Sequence, residues 1–172
     1  KSSARWIPSI VRSQLTKYSG EVGALLAMLR QFGWERITIL ATDTEFSKDL
    51  VTEFRRLWEG PHVDTSGIWF GDVAYSNTIR LLENDKVDPV SIQQALDGVP
   101  TNDPTTNSRI ILLVAHTQHA FSILQQAIAQ NFQPDTVWVG PSSWVGRTEP
   151  GFDFGTFPDK PGYLGVAPFP NG

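Results

Sequence analysis

Two short polar segments hold the side chains best suited to chemistry in this chain. Asp43-Thr44-Glu45-Phe46 puts two carboxylates, a hydroxyl and an aromatic ring in four consecutive residues. His116-Thr117-Gln118-His119 puts two imidazoles at i and i+3. Asp43 and Glu45 could share acid and base work on a glycosidic bond, but no further pattern supports such a pair. All three polar residues of the first segment could instead offer acceptors to the free N–H groups of a helix start, and for Thr44 capping is the stronger reading. Phe46 reads equally well as a staple on the following helix and as a ligand contact. The imidazoles could grip a metal only with a third ligand, and none is visible. The His116 segment therefore reads as a solvated loop, with His116 placed for a polar ligand contact and His119 a weaker candidate inside a helix.

The elements that must position these residues are legible from periodicity. Ser19 suits an N-cap, and Val22, Leu25, Leu26 and Leu29 recur at three and four, predicting a helix that stops at Gly33. Ile37 to Leu40 is a short apolar run, Ala41 to Phe46 a polar loop, and Leu50, Val51, Phe54, Leu57 and Trp58 mark a second helix ending at Gly60-Pro61. Helix, strand and helix in that order form one unit of a doubly wound sheet, and such sheets bind ligands in loops at the carboxyl ends of their strands.

The remaining chain continues the alternation. Trp6 to Arg12, interrupted by Pro8, reads as an edge strand, and Val63 to Phe70 as a further strand. The pattern loosens between Gly71 and Ser108, where Asp88-Pro89 starts a helix running to Leu96 and 102–107 forms a turn-rich insertion. Ile110 to Val114 is continuous and apolar, as in a central parallel strand buried on both faces. Thr117 caps a helix whose predicted buried face is Ala120, Phe121, Leu124, Ala127 and Ile128. Strands follow at Thr136 to Val139 and Tyr163 to Ala167. The loops Ala41 to Phe46, Ala115 to Gln118 and Gly140 to Trp144 then share one sheet edge and face one ligand space. The predicted fold is three-layer α/β/α: one domain over residues 1–172 with a mainly parallel sheet and helices on both faces.

Composition removes several function classes. The 172 residues are 40% hydrophobic and 19% charged, enough for one domain with a real core. Net charge is −4 and no basic cluster exceeds Arg55-Arg56, which disfavours nucleic acid as a partner. Gly23 to Leu29 and Ile110 to Ala115 are the longest apolar runs, far short of the roughly 18 residues of a membrane span. With no cysteine there is no disulfide framework, thiolate zinc site or cysteine nucleophile. The loop 41–46 holds no glycine and carries two acids where phosphates would sit, so no dinucleotide cofactor is expected. P-loop, G-x-S-x-G and H-E-x-x-H patterns are absent from the sequence, so neither a cofactor nor catalysis is expected.

One resemblance runs through nearly the whole chain, from about Trp6 to Pro168. Ala24-Leu25-Leu26-Ala27-Met28-Leu29-Arg30-Gln31-Phe32-Gly33-Trp34-Glu35-Arg36-Ile37-Thr38-Ile39-Leu40, followed by Asp43-Thr44-Glu45-Phe46-Ser47, resembles the second lobe of the type I periplasmic-binding-protein superfamily. It is most similar to the receptor branch, which includes natriuretic peptide, metabotropic glutamate and GABA-B receptors. Val137 to Trp144 resembles that family's strand and turn ending in Trp, and Gly165-Val166-Ala167-Pro168 its strand returning to lobe one. The resemblance implies half of a clamshell that closes on a small ligand, with lobe one supplied outside these residues and the assembly on the extracellular side of the plasma membrane. It places Phe46 against the ligand, with Ser142 at a second contact position and, more loosely aligned, Lys17; the loops at the carboxyl ends of the strands add Asp43, Thr44, Glu45, Ala115, His116 and Trp144 as candidate contacts. Trp144 reads more strongly as a plug at the end of its strand. Amino-acid-binding members often hold the ligand amine with an acid where this chain has Ser142, and a neutral hydroxyl cannot offset a buried ammonium. Receptors of this branch usually work as dimers, and Trp58, Trp69 and Phe70 would serve an interface or the core equally well. Two other readings stay open: one lobe of a soluble or periplasmic solute-binding transport protein, and a flavodoxin-like regulatory or enzymatic domain.

Overall fold

The computed structural model describes residues 18–100, 109–133, 135–141 and 163–165. Helices α1 (Ser19–Gln31), α2 (Glu45–Trp58), α3 (Pro89–Asp97) and α4 (Thr117–Ala129) alternate with strands β1 (Arg36–Thr42), β4 (Asp72–Ile79), β5 (Ile110–Val114), β6 (Val137–Gly140) and β7 (Tyr163–Gly165). The strands form one sheet in the order β4-β1-β5-β6-β7, and every neighbouring pair is parallel. The remaining strands, β2 (Pro61–Asp64) and β3 (Gly67–Phe70), pair antiparallel as a separate hairpin.

Strand alternation sorts the core into two layers. Ile37, Ile39 and Ala41 of β1 and Ile110, Leu112 and Val114 of β5 pack on α1 and α2 through Val22, Leu25, Leu29, Leu50, Phe54 and Trp58. Leu40, Ile111 and Leu113 point the other way, onto Ile92 and Leu96 of α3 and Ile123 and Leu124 of α4. All five residues of β5 are buried, as a central strand covered on both faces requires. The architecture is therefore three-layer α/β/α.

Helix α1 stops through its glycine. Gly33 adopts φ +69°, its N–H donates to the Arg30 carbonyl, and the Trp34 N–H reaches back to Leu29, which is a Schellman closure. Asp88 caps α3 by accepting from the Val90 N–H at 3.0 Å, with Pro89 in the first turn.

Several expectations need correction. Tyr18, not Ser19, occupies the cap position of α1, and it makes no side-chain cap bond. His116, not Thr117, occupies that of α4, because Thr117 is already helical. The first loop is shorter than 41–46: Ala41 and Thr42 continue β1 through pairing with Thr78 and Ile79, and Glu45 and Phe46 belong to α2. Val63 to Phe70 is no single strand, because the chain reverses between Asp64 and Gly67, where Gly67 has φ +128°. The loose region after Gly71 contains β4, an edge strand whose mixed burial hides its period. The buried face of α4 is His119, Ala120, Ile123, Leu124 and Ala127; Phe121 and Ile128 are half-buried. Trp58 is core and Trp69 half-buried, and of the three aromatics weighed for an interface only Phe70 is exposed. The predicted strand at 6–12 and the insertion at 102–107 lie outside the described residues.

Candidate functional site

Parallel strands bring their carboxyl ends to one crest. Thr42, Ile79, Val114 and Gly140 end their strands there, and the chain leaves β1 toward β4 on one side before returning to β5 on the other. The strand order thus reverses between β1 and β5. Diverging connections leave a crevice at such a point, and it is where open α/β sheets hold ligands.

The first loop at this crevice is held from beneath by Ser47. This residue is fully buried in the first turn of α2, and its hydroxyl donates to the Val114 carbonyl at 3.0 Å. Its single proton is thereby used, so Thr42 Oγ1, 2.9 Å away, is the donor in their contact. Thr44 Oγ1 also donates to Ser47 at 2.9 Å while accepting from the Ser47 backbone N–H at 3.2 Å. One hydroxyl thus joins the ends of β1 and β5 to the start of α2. Thr44 is the N-cap of α2, as its sequence context indicates.

Above this network the predicted residues divide. The Phe46 ring stacks on His116 with centroids 4.8 Å apart and planes at 22°, and it meets Tyr18 edge-on at 5.6 Å. It is half-buried, while His116 is exposed. Asp43 is ion-paired with Lys48 at 2.5 Å, so its charge is already balanced. Glu45 is exposed in the first turn of α2, where the helix dipole favours a carboxylate. The Ala115 side chain is fully buried within the core. Phe46 in the first turn of α2 and His116 at the cap of α4 therefore meet directly, whereas the Ala115 methyl is buried in the core. Gly140 and Pro141 start the third loop at the same crest; Ser142, Trp144 and Lys17 lie outside the described residues.

The crest continues past what the sequence reading singled out. His119 is 3% exposed, and its ring lies 6.0 Å from that of His116. Its Nε2 lies 2.9 Å from the Asp85 carbonyl, which can only accept, so Nε2 carries the proton. Gln118 Nε2 donates to the Asp85 carboxylate at 3.2 Å. Asp85 itself sits in the left-handed region at φ +60°. Together these residues line a cleft of about 290 Å³ between the loop after β4 and α4. The spacing of His119 to Ile123, one helical turn, is the sequence signal that would have placed the imidazole on the buried face. Among the described residues no group of three or more His, Asp or Glu side chains could hold a metal ion.

A parallel α/β sheet whose strand order reverses between β1 and β5 is an architecture that a periplasmic-binding-protein lobe shares with other doubly wound folds, and the family match gives the class. Over residues 8–157 the chain matches the family described as the receptor family ligand binding region, of type I periplasmic-binding-protein kind, and it belongs to that family. Among solved structures it is similar to a branched chain amino acid ABC transporter periplasmic ligand-binding protein from Burkholderia xenovorans LB400, at a TM-score of 0.49 and 14% identity. That match covers 72% of this chain and 29% of the other, so the chain spans under a third of that protein's length. No curated protein matches the chain. The family is a ligand-binding one. Among the described residues no helix is long and apolar enough to cross a membrane.

Proposed function

We propose that these 172 residues form the second lobe of a clamshell ectodomain, the sensing lobe of an extracellular receptor that closes with a first lobe on a small ligand and transmits closure as a signal. The observation that carries this reading is the Phe46–His116 stack at the ends of β1 and β5. A planar apolar ring with an exposed imidazole beside it offers a ligand one stacking surface and one hydrogen-bonding edge. Asp43, Thr44 and Glu45 form the rim on the α2 side. Ser142, Trp144 and Lys17 complete the contact set by resemblance, and the backbone at Ala115 supplies its share there. The lobe senses and does not catalyse. It works on the outer side of the plasma membrane, as a homodimer or heterodimer, with its anchoring segments elsewhere in the protein. The family's description as a receptor region favours this over the transport reading.

The test is a thermal-shift screen of this chain beside the full two-lobe ectodomain, against amino acids, small organic acids, sugars and purines. The expected result is a ligand that raises the melting temperature of the full ectodomain only, and by less after Phe46→Ala or His116→Ala. Stabilisation of this chain alone by nucleotides or flavins would instead overturn the split-clamshell reading.

A further inference from the structure

His119 lies one helical turn beyond His116, on the same side of α4, and is almost fully buried. Its hydrogen bonding rests on a single residue. The ring donates from Nε2 to the Asp85 carbonyl at 2.9 Å, and among the described residues its Nδ1 has no partner. The Asp85 carboxylate stays close, with Oδ1 3.5 Å from the same Nε2 and Oδ2 accepting from Gln118 at 3.2 Å. One residue of the segment after β4 thus engages two consecutive side chains in the first turn of α4.

The segment that presents Asp85 is a closed turn. The Leu82 N–H donates to the Lys86 carbonyl at 2.8 Å, the Asp85 N–H to the Leu82 carbonyl at 2.9 Å and the Lys86 N–H to the Asn84 side chain at 3.2 Å, while Leu81 and Val87 form an antiparallel bridge at its base. Asp85 holds φ +60°, a conformation that costs a non-glycine residue energy and persists where the surroundings fix it. Beyond the bonds of Asp85, the turn and α4 face each other across the cleft of about 290 Å³, lined by Asn84, Lys86 and Ser122 among others, so hydrogen bonds set their spacing there. His116 is carried by the same first turn: it is the cap residue of α4, makes no side-chain cap bond, and accepts at its carbonyl from the Ala120 N–H at 2.9 Å.

We propose that the hydrogen bond from His119 to Asp85 positions His116 over Phe46, which makes His119 and Asp85 positioning residues for a stack that neither belongs to. Without that acceptor a buried N–H is left unpaired, so the imidazole must rotate or leave the core, and either movement shifts the turn that carries His116. The ring centroids of His116 and His119 are 6.0 Å apart, close enough for such a shift to reach the stack directly. The part of this pair in ligand binding rests on the crest reading given above; the coupling itself belongs to the unliganded chain and is measured there, so the two fail separately.

Proton–carbon NMR of the imidazole groups tests this on the chain as it stands, whose histidines are only His62, His116 and His119. The His116 ring protons are expected upfield of their position in Phe46→Ala, because the stacked phenyl ring shields them. His119→Leu keeps an apolar side chain on the buried face and removes the donor, and it is expected to lose most of that upfield shift. His119→Gln is expected to keep most of it, since its amide Nε2 can donate to the same carbonyl; both variants lack the imidazole, so their difference reads the hydrogen bond alone. Asp85→Gly, which accepts φ +60°, is expected to keep the shift, and Asp85→Val, which resists that conformation, to lose it. Melting temperatures of the same variants separate a moved ring from an unfolded chain. A His116 shift that survives both His119→Leu and Asp85→Val, or one lost as fully in His119→Gln as in His119→Leu, overturns the proposal.

Discussion

Ser47 has a density of function that its small size conceals. Its hydroxyl accepts from Thr42 and Thr44 and donates to Val114; Thr42, Ser47 and Val114 are fully buried and Thr44 is half-buried. Ser47→Ala removes no volume of note but strands the buried Thr42 donor and Val114 carbonyl. The expected loss is about 1–3 kcal/mol in urea unfolding, larger than exposed-hydroxyl removals such as Thr52→Ala. A different residue sets the acid response. Glu53 is 7% exposed, and two hydrogen bonds from Arg56, at 2.9 and 3.1 Å, hold its carboxyl below the ordinary value of 4.5, with the Arg56 charge adding to this and burial opposing it. A depressed folded-state pKa stabilises the fold above the unfolded value and loses that contribution as pH falls through the folded one. Glu53→Gln is therefore expected to be less stable than the parent at neutral pH, with the gap closing on acidification below about pH 4. Unfolding midpoints across that range decide it; a constant gap would show that packing, and not charge, is what the substitution disturbs.

Two glycines at the ends of elements show different reasons for lacking a side chain. Gly33 needs φ +69° to close α1, and a Cβ there would meet nothing within 4 Å. Gly33→Ala is expected to cost about 1 kcal/mol, the penalty of the left-handed conformation alone. Gly71 precedes β4 with ordinary backbone, but a Cβ would fall on the Trp58 indole. That ring is fully buried, stacks on Phe54 with centroids 5.7 Å apart, meets Trp69 edge-on at 5.9 Å and donates to the Asp72 carbonyl at 3.1 Å. Gly71→Ala must displace it, with an expected loss of about 1–3 kcal/mol and an altered Trp fluorescence that Gly33→Ala leaves alone.

At the scale of the molecule, the two ends of the lobe have different characters. The crest gathers polar and aromatic groups, while the hairpin away from the main sheet exposes Val63, Ile68 and Phe70, each at 60% or more. Val63 and Ile68 are directly opposed across the hairpin, and its other face packs on the core through Trp69. Val63→Ser with Ile68→Ser is expected to change unfolding stability by no more than about 0.5 kcal/mol while lowering concentration-dependent light scattering, because among the described residues those side chains are largely exposed. In the clamshell reading proposed above, the crest of one lobe encloses half of the pocket. The isolated chain is accordingly expected to bind the ligand of the whole ectodomain poorly or not at all, and calorimetry showing tight binding by these residues alone would refute the split-pocket reading.

What the sequence determined by itself was set by local periodicity and capping chemistry. The apolar spacing of α1 and α2, the stop at Gly33, the Asp88-Pro89 start of α3 and the unbroken run of β5 each follow from contacts within a few residues. Placement of the crest also followed, since parallel strands joined by helices must end their runs together. Tertiary structure decided the rest, because the deciding partners are distant in sequence. β4 is a strand because it pairs with β1 some 36 residues earlier, through a segment whose half-exposed edge position erases its alternation. Likewise, Val63 to Phe70 carries strand residues on both sides of a turn, and only the pairing of Val63 with Ile68 shows where it reverses. Phe46 and His116 are 70 positions apart, and their stacking is visible only once β1 and β5 lie side by side. Nothing local marks Ser47; the carbonyl that gives it its role, that of Val114, is 67 residues away.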